Sequence, residues 1–226
     1  VSTETTVVHL LRHGKVHNPD NILYGRLPGY RLAASGRAMA DAAAAALADR
    51  DIIHVVASSL LRAQETATPV AAGHGLEIVT DDRVLEADND FAGSPTSGRD
   101  NVLRRPASWA KMRDPFTPSW GEPYLEIAHR MLAAVYAAHD RAVGHEAVIV
   151  SHQLPIWTLR RYLSGQRLWH NPASRQCAVA SLTSLTFTDG VFQRVDYREP
   201  AAHIAAVDDP VGGVVPDPDN QPEAGA

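Results

Sequence analysis

The sequence predicts an α/β fold, a three-layer α/β/α sandwich around a mostly parallel, mixed central sheet. Two features carry that prediction. Short apolar runs that stop abruptly at polar residues alternate with longer segments of helical character, the pattern of parallel strands joined by helices. Near the end, Asp189-Gly190 separates two further strand-like runs, residues 182–187 and 191–195. Such a pair is a strong signal for a two-residue hairpin, and so for a late antiparallel edge.

Taken in order, residues 7–11 (Val-Val-His-Leu-Leu) form the first strand, which runs into Arg12-His13-Gly14, where glycine breaks the pattern. Residues 35–50 are dominated by alanine and make the first helix, with Ser35 as its N-cap. The Ile- and Val-rich run 52–57 is the second strand. It stops at Ser58-Ser59, after which Leu60, Leu61, Gln64 and Ala67 open a second helix. Residues 76–80 give another short strand. An acidic segment, 81–90, and an irregular Pro- and Gly-bearing region follow as far as Gly121, with one short helix expected around 102–112. From 122 to about 143, Leu125, Ala128, Leu132 and Val135 recur at three- and four-residue steps, the stripe of a core-facing helix. Ala147-Val148-Ile149-Val150 is a continuous apolar strand ending at Ser151-His152. From Asp208 onward, four prolines and three glycines in nineteen residues predict a disordered tail behind one domain of residues 1–207.

Composition narrows the function classes. In 226 residues, 45% hydrophobic and 21% charged side chains are enough to build a core. The net charge of -5 disfavours nucleic acid and anionic membranes as partners. Cys177 is the single cysteine, so neither an internal disulfide nor a four-cysteine zinc site is possible. The first apolar stretch is five residues, far short of the roughly 20 of a membrane span. These readings predict a soluble, cytoplasmic protein and leave its oligomeric state open.

In such α/β sheets ligands sit beyond the carboxyl ends of the strands, where the sequence puts Arg12-His13, the segment from Ser58 to Arg62, and Ser151-His152. Between His9 and Arg37, five cations (Arg12, Lys15, Arg26, Arg31, Arg37) face one acid, Asp20, a local balance of +4. A charge run alone is usually a solvated surface. Arg12-His13 at a strand end points further: arginine presents a planar fork matched to phosphate oxygens, and neutral imidazole is a nucleophile near neutral pH. Together they suggest phosphoryl transfer through histidine. His9, His13 and His17 would align as metal ligands only on a helix, which the strand pattern and Gly14 oppose. No metal and no cofactor are expected.

Leu10-Leu11-Arg12-His13-Gly14 resembles the Arg-His-Gly signature of the histidine phosphatase superfamily, the phosphoglycerate mutase-like group. Further blocks follow in the expected order. The run Ser58-Ser59-Leu60-Leu61-Arg62-Ala63-Gln64-Glu65-Thr66-Ala67 is similar to the family's second arginine-bearing stretch. Val84-Leu85-Glu86 resembles the segment with the acid, Gly121-Glu122 the start of the long helix, and Val148-Ile149-Val150-Ser151-His152 the strand ending in the second histidine. The resemblance implies a phosphoglycerate mutase-like fold. It also implies His13 as the nucleophile that becomes phosphohistidine, Arg12, Arg62 and His152 around the phosphoryl oxygens, and Glu86 as proton donor, with Asp88 as the alternative. The acidic neighbours of Glu86, Asp81, Asp82, Asp88 and Asp90, should favour its protonated form. Asn18, Gly25 and Gln153 are expected at the substrate.

The chain departs from the family pattern at Lys15, where Glu or Gln is common; at Asn18, one residue early; and at Gln153, where glycine is common. Ala87-Asp88-Asn89-Asp90-Phe91-Ala92-Gly93 replaces the Tyr-Gly-bearing stretch and longer insertion of the cofactor-dependent mutases. The expectation is therefore a phosphatase acting on a small phosphorylated substrate and releasing inorganic phosphate. A mutase-type transferase and a catalytically silent phosphate-binding module are the alternatives. Arg104 and Arg105 could meet a second charged group of the substrate, though exposed helix arginines are commoner. His170 and Trp169 read as packing residues.

Overall fold

The computed structural model describes residues 4–95 and 121–207. The helix expected around 102–112, Arg104-Arg105 and the tail from Asp208 lie outside the described residues. Six strands form one mixed sheet: β1 (Thr5–Arg12), β2 (Ile52–Ala57), β3 (Ile78–Thr80), β4 (Glu146–Ser151), β5 (Leu182–Thr188) and β6 (Val191–Arg198), in the order β3-β2-β4-β1-β5-β6. The first four run parallel, and the hairpin at Asp189-Gly190 adds β5 and β6 antiparallel. Helices α1 (Ala34–Leu47) and α2 (Leu61–His74) pack together, as do α3 (Tyr124–Arg141) and α4 (Gln153–Leu163); a short α5 (Ala202–Val207) lies against α1.

The two-residue period of the strands divides the core. Val8, Leu10, Val56, Ala147 and Ile149 point to the face under α3 and α4, whereas Leu11, Val55, Ala57, Val148 and Val150 point to the face packed by α1 and α2. Both faces of β4 are covered, so its run is apolar throughout rather than alternating.

Three local expectations are corrected. Ser35 does not cap α1: the cap is Ala33, with no side-chain hydrogen bond. The chain stays extended to Ala33 because the Ala33 N–H donates to the Lys15 carbonyl, and the Arg37 N–H then closes the first turn on the Ala33 carbonyl. Leu125 is 50% exposed; the buried stripe of α3 is Tyr124, Ile127, Ala128, Met131, Ala134, Val135 and Ala138, one position out of phase with it. Trp169 is 45% exposed, while His170 beside it is buried against the rings of Tyr124 and Trp157.

Candidate active site

Strand register brings the three polar strand ends together. Arg12 of β1 stands opposite Ser151 of β4, and Ala57 of β2 opposite Val150. The next backbone groups continue the ladder: the His13 N–H donates to the Ser151 carbonyl and the Ser58 N–H to the Val150 carbonyl. His13, Ser58 and His152 therefore emerge side by side at the carboxyl edge, with the two imidazole rings 5.1 Å apart.

The turn after β1 is fixed by close packing. A Cβ at Gly14 would lie 2.3 Å from the Gly36 carbonyl oxygen, and one at Gly36 would lie 1.9 Å from that of Lys15. Only two glycines permit this approach between the turn and α1. The Gly14 N–H also donates to Thr66 Oγ1, whose hydroxyl donates to the Arg62 carbonyl.

His13 is 2% exposed, and its Nδ1 lies 2.8 Å from the Gly14 carbonyl. A carbonyl can only accept, so Nδ1 carries the proton and Nε2 keeps its lone pair. Burial, reinforced by Arg12 and Arg62, lowers this imidazole well below 6.5, so the ring is neutral at pH 7. His152 is fully buried and lowered in the same sense, by burial first and then by His13 and the two arginines. Its Nε2 pairs with the Ser58 hydroxyl at 2.7 Å.

Arg62 sits in the first turn of α2 and is 1% exposed. Its Nη2 donates to the Gly25 carbonyl at 2.6 Å, and its guanidinium lies 4.8 Å from the centre of the Tyr24 ring. Arg12 Nη1 donates to the Cys177 carbonyl at 2.6 Å. After these contacts Arg12 Nε, Arg62 Nε and His152 Nδ1 remain buried with no hydrogen-bond partner. Each such group costs about 1–3 kcal/mol when unsatisfied, so leaving three of them beside His13 is costly.

Glu86 follows a 3-10 turn, Asp82–Val84, held to β4 by the Ser151 hydroxyl donating to the Val84 carbonyl. Arg26 donates to the Glu86 carbonyl and also pairs with Glu122, which pairs in turn with Arg130. The acidic surroundings expected for Glu86 are not what its carboxylate faces. Asp81 is engaged by Arg83, and Asp88 is exposed. Glu86 instead acts on cations: burial lowers the guanidiniums of Arg62 and Arg175, and the Glu86 carboxylate is the main opposing influence on both.

The expected substrate residues divide. Gly25, at φ +44°, supplies the carbonyl that holds Arg62. Gln153 opens α4 next to His152 and reaches the Cys177 carbonyl at 3.5 Å. Asn18 shapes its own loop: both ends of its amide are engaged by Ile22, Nδ2 donating to the carbonyl and Oδ1 accepting from the N–H. His9, from the rejected histidine triplet, bonds Ser184 and Glu146 within the sheet. No group of three or more metal-ligating side chains occurs among the described residues, and no helix there is long and apolar enough to cross a membrane. A separate cavity of about 410 Å³, lined by residues such as Val7, Arg50, Arg194 and Arg198, includes none of the site residues in its lining.

Two residues packed near these side chains went unread in the sequence. Tyr24 is 38 positions from Arg62 and Arg175 is 163 from Arg12, and no local motif marks either.

An uncharacterized protein of Mycobacterium tuberculosis is 56% identical over 199 residues, covering 88% of this chain and 98% of its own. A probable phosphoglycerate mutase of Escherichia fergusonii is 26% identical over 200 residues, 85% of each chain. The solved structure of a mycobacterial glucosyl-3-phosphoglycerate phosphatase superposes with a TM-score of 0.67 at 26% identity, covering 87% of this chain and 97% of that one. The fold is phosphoglycerate mutase-like. The sequence profile of the histidine phosphatase superfamily (branch 1) matches residues 8–200, the stretch that supplies both imidazoles and both arginines, and the chain belongs to that superfamily.

Proposed function

We propose that the protein is a phosphomonoesterase working through a phosphohistidine on His13. The observation that carries this reading is the neutral imidazole with a free Nε2 lone pair beside buried, unpartnered guanidinium donors on Arg12 and Arg62 and the unpartnered Nδ1 of His152. Phosphoryl oxygens satisfy those donors, and the charge they develop during transfer is what such preorganised donors stabilise. Two guanidiniums and a second imidazole supply that stabilisation from the protein's own side chains.

In the first half-reaction His13 Nε2 attacks phosphorus, the P–O ester bond breaks, and the leaving alkoxide takes the proton of the Glu86 carboxyl. In the second, water attacks phosphohistidine, its proton passes to the Glu86 carboxylate, and the N–P bond breaks to release inorganic phosphate. His13 and Glu86 return to their starting states. Glu86 is favoured over Asp88 because its carboxylate influences Arg62 whereas Asp88 is exposed. A small phosphorylated compound is the proposed partner, and its hydrolysis is assigned to the cytoplasm on the strength of the single unpaired Cys177. Hydrolysis is preferred to mutase-type transfer because the segment after Glu86, residues 87–93, lacks the Tyr-Gly-bearing stretch and longer insertion of the cofactor-dependent mutases.

Rapid acid-free quenching during turnover of a ³²P-labelled ester is expected to trap an acid-labile, base-stable adduct on His13, absent from His13→Ala. Turnover at the parental rate by His13→Ala would refute the mechanism.

A further inference from the structure

Resting on the phosphatase reading, we propose that Tyr24 is a positioning residue of the phosphoryl pocket. Its ring fixes the orientation of the Arg62 guanidinium for an incoming phosphate without neutralising its charge.

Arg62 is 1% exposed and meets two consecutive residues of the loop between β1 and α1. Its guanidinium lies over the Tyr24 ring, 4.8 Å from the ring centre, and its Nη2 donates to the Gly25 carbonyl at 2.6 Å. Gly25 adopts φ +44°, a left-handed conformation that glycine takes without a steric penalty. The backbone can therefore present a ring and the next carbonyl to the same cation. Tyr24 is in turn stacked on Tyr30, with ring centres 5.1 Å apart and 29° between the planes. The loop is anchored on both sides of this contact. The Leu32 N–H donates to Glu65 of α2 at 2.7 Å, the Leu23 N–H donates to the Ser94 carbonyl, and the Gly93 N–H donates to the Leu23 carbonyl.

A buried arginine with a purely structural task would be expected to meet a carboxylate, as Arg130 meets Glu122. Arg62 forms no ion pair among the described residues. Its fixed contacts are a carbonyl and an aromatic face, both uncharged. Burial raises the Tyr24 hydroxyl above its ordinary value of 10, so the ring is that of a neutral phenol. A carboxylate partner would compete with phosphate for the guanidinium, whereas a π face attracts the cation and leaves its charge for another ligand. Of the donors on Arg62, Nε remains buried and unpartnered. The ring thus removes freedom from the long side chain before an anion arrives, and less order has to be imposed on binding.

The test measures binding of inorganic phosphate by calorimetry to the full chain. Tyr24→Leu removes the π face and is expected to weaken binding by about 3- to 30-fold, the worth of a cation–π contact. Tyr24→Phe keeps the face and should bind within about twofold of the parent. In the Arg62→Ala background, Tyr24→Leu should cost less than about twofold, because the group it orients is gone. Tyr30→Leu, which loosens the loop but spares the contact, should cost less than Tyr24→Leu. Parental affinity in Tyr24→Leu, an equal loss in Tyr24→Phe or Tyr30→Leu, or a loss undiminished without Arg62 overturns the proposal. Should Tyr24→Leu fail to fold by circular dichroism, NMR of the parent decides: Arg62 side-chain protons are expected upfield, in the Tyr24 ring current, and ordinary shifts would overturn the contact. Absence of both phosphate binding and phosphate release in the parent would overturn the phosphatase reading. Phosphate binding that ignores Tyr24 overturns the present proposal alone.

Discussion

Three of the side chains proposed to act in catalysis are each held by one hydrogen bond that leaves another polar atom uncommitted. His13 gives Nδ1–H to Gly14, Arg62 gives Nη2–H to Gly25, and Arg12 gives Nη1–H to Cys177. Arg12 Nε, Arg62 Nε and His152 Nδ1 stay buried without partners, so on the proposed mechanism the transition state meets groups that need no reorganisation. Arg62→Ala is therefore expected to lower kcat by about 100- to 1000-fold while a thermal melt still shows a folded chain; steady-state kinetics within threefold of the parent would contradict the role. The pH dependence follows from burial. Protonation of His13 would consume its nucleophilic lone pair, and its folded value is displaced well below 6.5. The acid limb of kcat/KM that belongs to the enzyme should lie well below pH 6.5, once ionisation of the substrate has been accounted for. A limb at an ordinary histidine value would mean that the imidazole is not desolvated.

Among the elements, the turn after β1 bears the tightest constraint, because it must pass α1 closely enough to aim His13. The contact between Gly14 and Gly36 leaves no space for a methyl group. Gly36→Ala gains helix propensity worth about 1 kcal/mol but drives a carbon into the Lys15 carbonyl. Overpacking of this kind typically costs about 1–3 kcal/mol or more, so the net effect should be destabilising. A fall in urea midpoint together with a lower kcat is expected; a more stable, fully active variant would show that turn and helix can separate. The loop bearing Tyr24 and Gly25 is tied down differently, by the Leu32 N–H donating to Glu65 of α2 and by Arg26 bonding the Glu86 segment. It therefore links both halves of the site.

For the molecule as a whole, the buried imidazoles make stability depend on pH. His13 and His152 have folded values well below 6.5, and His54 and His170 are lowered too, in each case chiefly by burial. Below about pH 6.5 the unfolded chain binds protons that the folded chain refuses, so stability falls as pH drops. Each such histidine contributes a slope of at most about 1.4 kcal/mol per pH unit. Glu146 acts at lower pH. Burial would raise it, but hydrogen bonds from His9 and Arg50 outweigh burial and hold it below 4.5; its contribution is complete above that value and is lost as pH falls through the folded one. Urea midpoints should be flat between pH 8 and 7 and decline from about 6.5 downward. The combined His13→Asn, His152→Asn variant should decline less steeply between pH 6.5 and 4.5; an unchanged slope would mean that these two rings do not carry the effect.

Local patterns reached far into this protein. Apolar runs ended where the strands end, the Asp189-Gly190 turn marked the antiparallel edge, and Arg12, His13, Arg62, Glu86 and His152 stood out because contiguous motifs carry them. Those features depend on neighbours in the chain, and short-range order can be read from short-range sequence. Other facts depended on packing between distant segments. Ser35 gave way as a cap because Lys15 holds Ala33 extended, and the Glu86 carboxylate came within electrostatic reach of Arg62. Arg175 met His170 and Gln153 only through the fold of the loop before β5. Contacts between segments separated along the chain leave no periodic or motif-level trace in one sequence, because the pairing exists only once the fold has set which ends lie side by side.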